Sequence, residues 1–190
     1  MQQRVPSLVT TYLEMLSAAA PSGQRSKVTS QKLQIQELTE RGWRFNRDMY
    51  FAVGEKWAWI DKRPWRDEQW RDYASDRNLR TFAAYVDGKV AGYFELHRTT
   101  DESLTSRDQR SEVAGQNKED VEIAYFGLLP EFIGCGLGGA LLNSAIEIAW
   151  NWSPTPWRVW VHTCNRDHPN ALANYQARGF RIYKTVTSDE

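Results

Sequence analysis

The sequence predicts an α/β chain: a mixed sheet with helices on its faces. Three observations predict it. Asp87-Gly88 sits between two runs of alternating apolar residues, as a tight hairpin requires. Four glycines in six positions, Gly134, Gly136, Gly138 and Gly139, separate an apolar strand-like run from the helix-like "ALLNSAIEIAW". The segments also follow one another in the order β, α, α, β, β, β, α, β, α, β, behind a short N-terminal element.

Each element has its own reason. That N-terminal element, "LVTTYLEML", could be strand or helix, and its β-branched start leans toward strand. The polar "PSGQRSKVTS", Pro21 to Ser30, separates it from the rest, so residues 1–30 read as a partly ordered extension and 31–190 as a single domain. "KLQIQEL" (Lys32 to Leu38) alternates as a half-buried strand does. From Trp43 to Ala74 the aromatic spacing suggests two helices broken around Gly54 and Pro64. The hairpin "TFAAYVDGKVAGYFEL" follows. Thr99 to Asp120 carries six acidic and three basic residues; a polar connection this long is either disordered or a lid, and it reads as mobile and solvated. "VEIAYFGL" is the next strand, "LGGALLNSAIEIAWNW" a helix and "PWRVWVHT" a strand. "HPNALANYQARGFRIYKTV" closes the pattern as a helix capped by Gly179 and a last strand from Phe180.

Composition narrows the function classes. The 190 residues hold 24 Lys plus Arg and 24 Asp plus Glu, a net charge of zero, so nothing in the balance argues for nucleic acid or an anionic membrane as partner. No run approaches the ~18 apolar residues of a membrane span, and the start of the chain lacks the unbroken apolar core of a signal peptide. The chain reads as cytoplasmic. Two cysteines, Cys135 and Cys164, fit a reducing compartment and form no metal-type spacing, so each reads as a buried or incidental thiol.

The glycine cluster is the chemical clue. Glycine removes the Cβ that keeps other groups away from the backbone, so such a cluster between strand and helix suits either a flexible loop or bare N–H groups aimed at an anion. Gly134, Gly136 and Gly139 spell Gly-x-Gly-x-x-Gly, but the dinucleotide fingerprint needs an acidic residue at the end of the next strand and more chain than remains. The nucleoside-triphosphate loop ends Gly-Lys-Ser/Thr, whereas this one ends Gly-Gly-Ala.

A third pattern fits. "FGLLPEFIGCGLGGALL" resembles the signature of the GNAT family of N-acetyltransferases, Gln/Arg-x-x-Gly-x-Gly/Ala between a strand and a long helix, with Leu128-Leu129-Pro130 at the strand end and Gly136 and Gly138 as the signature glycines. The family's second block, A-x-x-x-Y-x-x-x-G-F, appears as Ala171 to Phe180, with Tyr175, Gly179 and Phe180 in register. The resemblance covers roughly Thr81 to Val186. One position departs: Ile133 stands where the family carries Gln or Arg.

The resemblance implies a mixed, largely antiparallel sheet of six to seven strands in the acyl-CoA N-acyltransferase fold. It implies transfer of an acetyl group from acetyl-CoA to a primary amine, by direct attack and without a metal. The cofactor would lie on Phe126, Leu128, Ile133, Gly134, Cys135, Gly136, Leu137, Gly138 and Gly139, with Phe126 and Leu128 offering backbone groups to the pantetheine arm. Asn165 or Asn170 would replace an asparagine the family carries where this chain has His168. Because an amine with a pKa near ~10 is mostly protonated at neutral pH, a base is needed. Glu122 takes that role at the family's position, with Glu95 on the neighbouring strand in reserve, and Tyr175 matches the general acid. Direct attack leaves neither cysteine a catalytic part. A non-catalytic CoA-binding regulatory module of the same fold is the alternative, favoured by Ile133. Nine tryptophans, including Trp57, Trp59, Trp65 and Trp70, suggest an aromatic-lined acceptor side. An exposed Trp152/Trp157 region could support a homodimer.

Overall fold

A computed structural model describes residues 7–18, 33–39, 42–57, 59–100 and 119–188. The strands are β1 (Leu8–Met15), β2 (Gln34–Glu37), β3 (Leu79–Val86), β4 (Lys89–Thr100), β5 (Glu119–Leu128), β6 (Arg158–Cys164) and β7 (Arg181–Ser188). The helices are α1 (Trp43–Gly54), α2 (Asp67–Ala74), α3 (Leu137–Trp150) and α4 (Ala171–Gln176). Most of the segments read as mobile between Thr99 and Asp120, and as a linker at Pro21 to Ser30, lie outside the described residues.

One seven-stranded sheet runs in the order β2-β3-β4-β5-β6-β1-β7. Every neighbouring pair is antiparallel except β5 with β6. The β3–β4 hairpin turns on Asp87 (φ 49°) and Gly88 (φ 77°), the two positive values that a primed turn needs. Leu8–Met15, read from the sequence as part of an N-terminal extension, lies inside the sheet between β6 and β7. Its Leu13 is fully buried.

Alternation along β4 separates the two faces. Phe94 and Leu96 join the core beneath α3 and α4, with Leu141, Leu142, Ala145, Val121 and Val159. Tyr93 instead meets Met49 and Val53 of α1, and α1 and α2 close that face with Trp43, Tyr50 and Trp70. The expected surface patch at Trp152/Trp157 is corrected in part: Trp157 is 40% exposed, but Trp152 is half-buried, with the guanidinium groups of Arg80 and Arg98 at 5.0 and 4.5 Å from its ring centre.

Two irregularities position the site. The β4–β5 register shifts between Glu95 and Leu96, which pair with Tyr125 and Ile123. Ala124 is therefore an extra residue in β5, and this bulge puts Glu122 and Tyr125 on the α1/α2 face although they are three apart. The second irregularity is a split. β5 and β6 pair only at Asp120–Arg158, Val121–Val159 and Glu122–Trp160, and then diverge. Arg158 fastens the base of this split: its guanidinium bonds Asp120 on β5 (Nε to Oδ2 2.9 Å) and lies 3.4 Å from Glu14 on β1.

Candidate active site

A cavity of about 980 Å³ opens where β5 leaves β6. Leu129 donates its N–H to the Ala91 carbonyl on β4, and alternation then turns the N–H and C=O groups of Phe126 and Leu128 away from β4, into the gap. The other wall is the loop that starts α3. Gly134 (φ 84°) and Gly136 (φ 76°) adopt left-handed backbone that side chains disfavour, and Gly136 caps α3. A Cβ on Gly138 would meet only Leu128 Cδ1, at 3.9 Å, and one on Gly134 would have no heavy atom within 4 Å among the described residues. The backbone here is open to a ligand, beside the N-terminal end of a fourteen-residue helix. Gly139 differs. A Cβ there would overlap the Arg178 guanidinium, which donates to the Gly139 carbonyl (3.1 Å) and ties α4 to the start of α3.

Of the residues singled out in the sequence, Glu122, Phe126, Leu128, Ile133, Gly134, Gly136, Gly138, Gly139, Asn170 and Tyr175 line this cavity. Asn165 is turned to β1 instead: its side chain accepts from the Val9 N–H and donates to the Ser7 carbonyl, both at 3.0 Å. Leu137 is the first residue of α3. Cys135 is exposed rather than buried, its sulfur 3.9 Å from the Glu131 carbonyl. Cys164 lines the cavity with its thiol pushed up by burial. Ile133 is 39% exposed and offers no side-chain donor.

The two candidate bases occupy opposite environments. Glu95 is 1% exposed. Asn46 Nδ2 donates to its Oε1 (2.8 Å) and the Tyr73 hydroxyl to its Oε2, and burial still raises its carboxyl above the ordinary range. Glu122 stands at the last β5–β6 pair, with His162 Nδ1 at 3.3 Å from its Oε1. Tyr175 is buried against Phe126 and Phe180, ring centres 6.2 and 5.9 Å away, and burial raises its hydroxyl well above an ordinary phenol, so it carries its proton at neutral pH.

Sequence reasoning missed a second group on the acceptor side. Asp61 and Lys62, in the α1–α2 connection, meet Tyr125: Lys62 Nζ donates to its hydroxyl and that hydroxyl to Asp61 Oδ2, both at 2.7 Å. The Tyr50 hydroxyl donates to Asp61 Oδ1 at 2.9 Å. Burial alone would raise the Asp61 carboxyl; these phenols and Lys62 outweigh it and hold the group below the usual carboxylate range. The Lys62 ammonium lies 4.5 Å from the ring centre of Trp65 and 4.7 Å from those of Tyr73 and Tyr125. The only sequence signal was an Asp-Lys pair among tryptophans. Of the four rings proposed there, Trp70 is core at 1% exposure, while Trp57 and Trp59 line the cavity. Among the described residues no group of three or more His, Cys, Asp or Glu is arranged to hold a metal ion, and no helix is long and apolar enough to cross a membrane.

Comparison with known proteins agrees with this architecture. The family model described as "Acetyltransferase (GNAT) family" matches residues 35–180. An uncharacterised N-acetyltransferase of Mycobacterium bovis is 28% identical over 116 residues, 61% of this chain, and an uncharacterised N-acetyltransferase of Mycobacterium tuberculosis matches equally. The match spans 62% of the length of each. Among solved structures, a GCN5-related N-acetyltransferase from Sphaerobacter thermophilus superposes with a TM-score of 0.59 at 16% identity, over 96% of this chain and 51% of that one. An aminoglycoside acetyltransferase from an uncultured soil metagenomic sample, in complex with trehalose, gives 0.56 at 16% identity, over 77% of this chain and 87% of that one. These likenesses are of fold.

Proposed function

The chain belongs to the GNAT family of acetyltransferases, and on that premise we propose that it transfers an acetyl group from acetyl-CoA to a primary amine by direct attack, in the cytoplasm and without a metal. One observation carries the reading: the β5–β6 split and the glycine-opened start of α3 face one cavity, which Glu122 and Tyr175 also line.

In this reading the N–H groups from Gly134 to Gly139, with the α3 N-terminus, hold the pyrophosphate of CoA. Phe126 and Leu128 pair with the pantetheine arm as an added strand pairs with an edge, and the Leu128 amide donates to the thioester oxygen. Glu122 is the carboxylate behind removal of the ammonium proton, directly or through an intermediary. The freed amine attacks the thioester carbon, the C–N bond forms as the C–S bond breaks, and Tyr175 gives its proton to the departing sulfur. Asp61, ionised and partly exposed, with Trp57 and Trp59 beside it, suits a cationic acceptor.

Two measurements test this. Calorimetric titration should give CoA binding to the wild type and a loss of at least about tenfold in Gly138→Val, whose branched Cβ enters the cavity without meeting a positive φ. Thiol release from acetyl-CoA should then be followed over a panel of tyramine, spermidine and glycinamide. CoA binding with no turnover of any amine would favour the regulatory module that Ile133 suggests; unchanged affinity in a folded Gly138→Val protein would refute the pyrophosphate assignment.

A further inference from the structure

The proposed chemistry asks for a proton acceptor that reaches the amine, and the split offers a cavity-lining group more exposed than Glu122. The Glu122 side chain is only 15% exposed, whereas that of His162 is 45% exposed, and the imidazole lies over the carboxylate with Nδ1 at 3.3 Å from Oε1. Both residues line the cavity. Their placement follows from the strands. Glu122 pairs with Trp160 at the last rung before β5 and β6 part, and His162, two residues on, projects from the same face of β6 as Trp160. The rings of Tyr12 on β1 and Trp160 stand beside the imidazole, with centroids at 5.7 and 6.2 Å. With Nδ1 turned to a carboxylate, the neutral ring carries its proton on Nδ1 and leaves the Nε2 lone pair free.

Resting on the acetyltransferase reading above, we infer that His162 is the group that takes the proton from the acceptor ammonium, at Nε2, and that Glu122 is its positioning residue. The proton leaves the ammonium for Nε2. The free amine forms the C–N bond to the acetyl carbon, the C–S bond breaks, and the sulfur takes its proton from Tyr175. His162 then releases its proton to water, and the second proton shed by the acylated nitrogen passes through water to the Tyr175 phenolate, so one ammonium and one thioester give one amide, one thiol and one proton. Glu122 stabilises the imidazolium formed in the first step.

The charged and titratable groups around His162 set the pH dependence. Glu122 from β5 raises the imidazole above its ordinary value, burial opposes this, and Asp167 after β6 and Asp61 from the α1–α2 connection act with Glu122; Tyr12 contributes a phenol ring from β1. Neutral His162 is the working form, so kcat/KM should fall on the acid side with the imidazole titration.

The test uses the full chain, the amine of the tyramine, spermidine and glycinamide panel with the highest turnover, and NMR titration of the His162 imidazole. His162→Gln should lower kcat by on the order of 100-fold or more with CoA affinity unchanged. Glu122→Gln should lower it less, by about tenfold, and move both the imidazole titration and the acid limb of kcat/KM to lower pH. If Glu122 is instead the base, Glu122→Gln is the more damaging change and His162→Gln moves the acid limb to higher pH, because a neighbouring cation has been lost; that result overturns the inference. Wild-type kcat in His162→Gln overturns it too and leaves the acetyltransferase reading intact, whereas no amine turned over by the wild type refutes that reading and this inference with it.

Discussion

Glu95 and Glu122 stand on neighbouring antiparallel strands, on one face of one sheet, and live in different regions. Glu95 lies under α1 and α2, where every direction is taken by protein: Asn46 and Tyr73 bond its two oxygens, and Asn46 is itself held to Thr81 at 2.7 Å. Glu122 lies three residues below Tyr125, where the sheet has just lost its next strand, and its partner His162 reaches into open space. Either carboxylate could have served as base on sequence grounds. Saturated hydrogen bonding fixes the first as part of the scaffold, while a single titratable partner at an opening leaves the second available for chemistry.

Substitutions can break this contrast, and the largest effect is expected at the open site. Tyr175→Phe keeps the ring against Phe126 and Phe180 and removes the acid, so turnover should drop on the order of 100 to 10,000-fold, with the urea unfolding midpoint hardly moved. A midpoint shift as large as the rate effect would make Tyr175 a scaffold residue like Glu95. Next comes Glu95→Ala. It strands one N–H of the buried Asn46 amide, whose other N–H stays on Thr81, and a hydroxyl on Tyr73, each worth about 1–3 kcal/mol when unsatisfied, and should appear as lost stability in denaturant titration with CoA affinity retained. Glu122→Ala should cost less than about 1 kcal/mol of stability by the same measurement, because it frees a half-exposed partner.

The smallest effect is one of pH. Burial raises the folded-state Glu95 carboxyl above its ordinary 4.5, so between those two values the folded state binds more protons than the unfolded one and stability falls as pH rises. Glu95→Gln should abolish that decline while costing little below pH 4.5. A decline that persists in the glutamine variant would assign it to another group.

The sequence was most legible where local chemistry decides. Asp87-Gly88 specified its turn because two positive φ values leave few residue choices. The strand from Val121, the glycine loop and the following helix could be read from apolar pattern and glycine spacing, although β5 starts at Glu119, inside the segment read as mobile, and α3 ends at Trp150 rather than Trp152. The A-x-x-x-Y-x-x-x-G-F block likewise marked Tyr175 before any packing was known. The bulge at Ala124 was not legible, since one inserted residue changes which side chains share a face without changing composition. Asp61 and Lys62 meet Tyr125 across more than sixty residues of chain, and His162 gains meaning only from Glu122 on a strand some forty residues earlier. Trp152 looked like surface because nothing local records the two arginines that cover it.

The position of β1 bears on how the molecule is made. Leu8–Met15 pairs with β6 and β7, so β1 waits during synthesis for partners more than 140 residues later in the chain. Until then Leu13 and Met15 lack the two strands that hold them in the core, whereas β2 to β5 pair with one another in chain order. Closure of the β6–β1–β7 half is thus a late event of high sequence separation, slow for entropic reasons. The wall of the cavity that carries His162 is completed only when β1 meets β6 and β7.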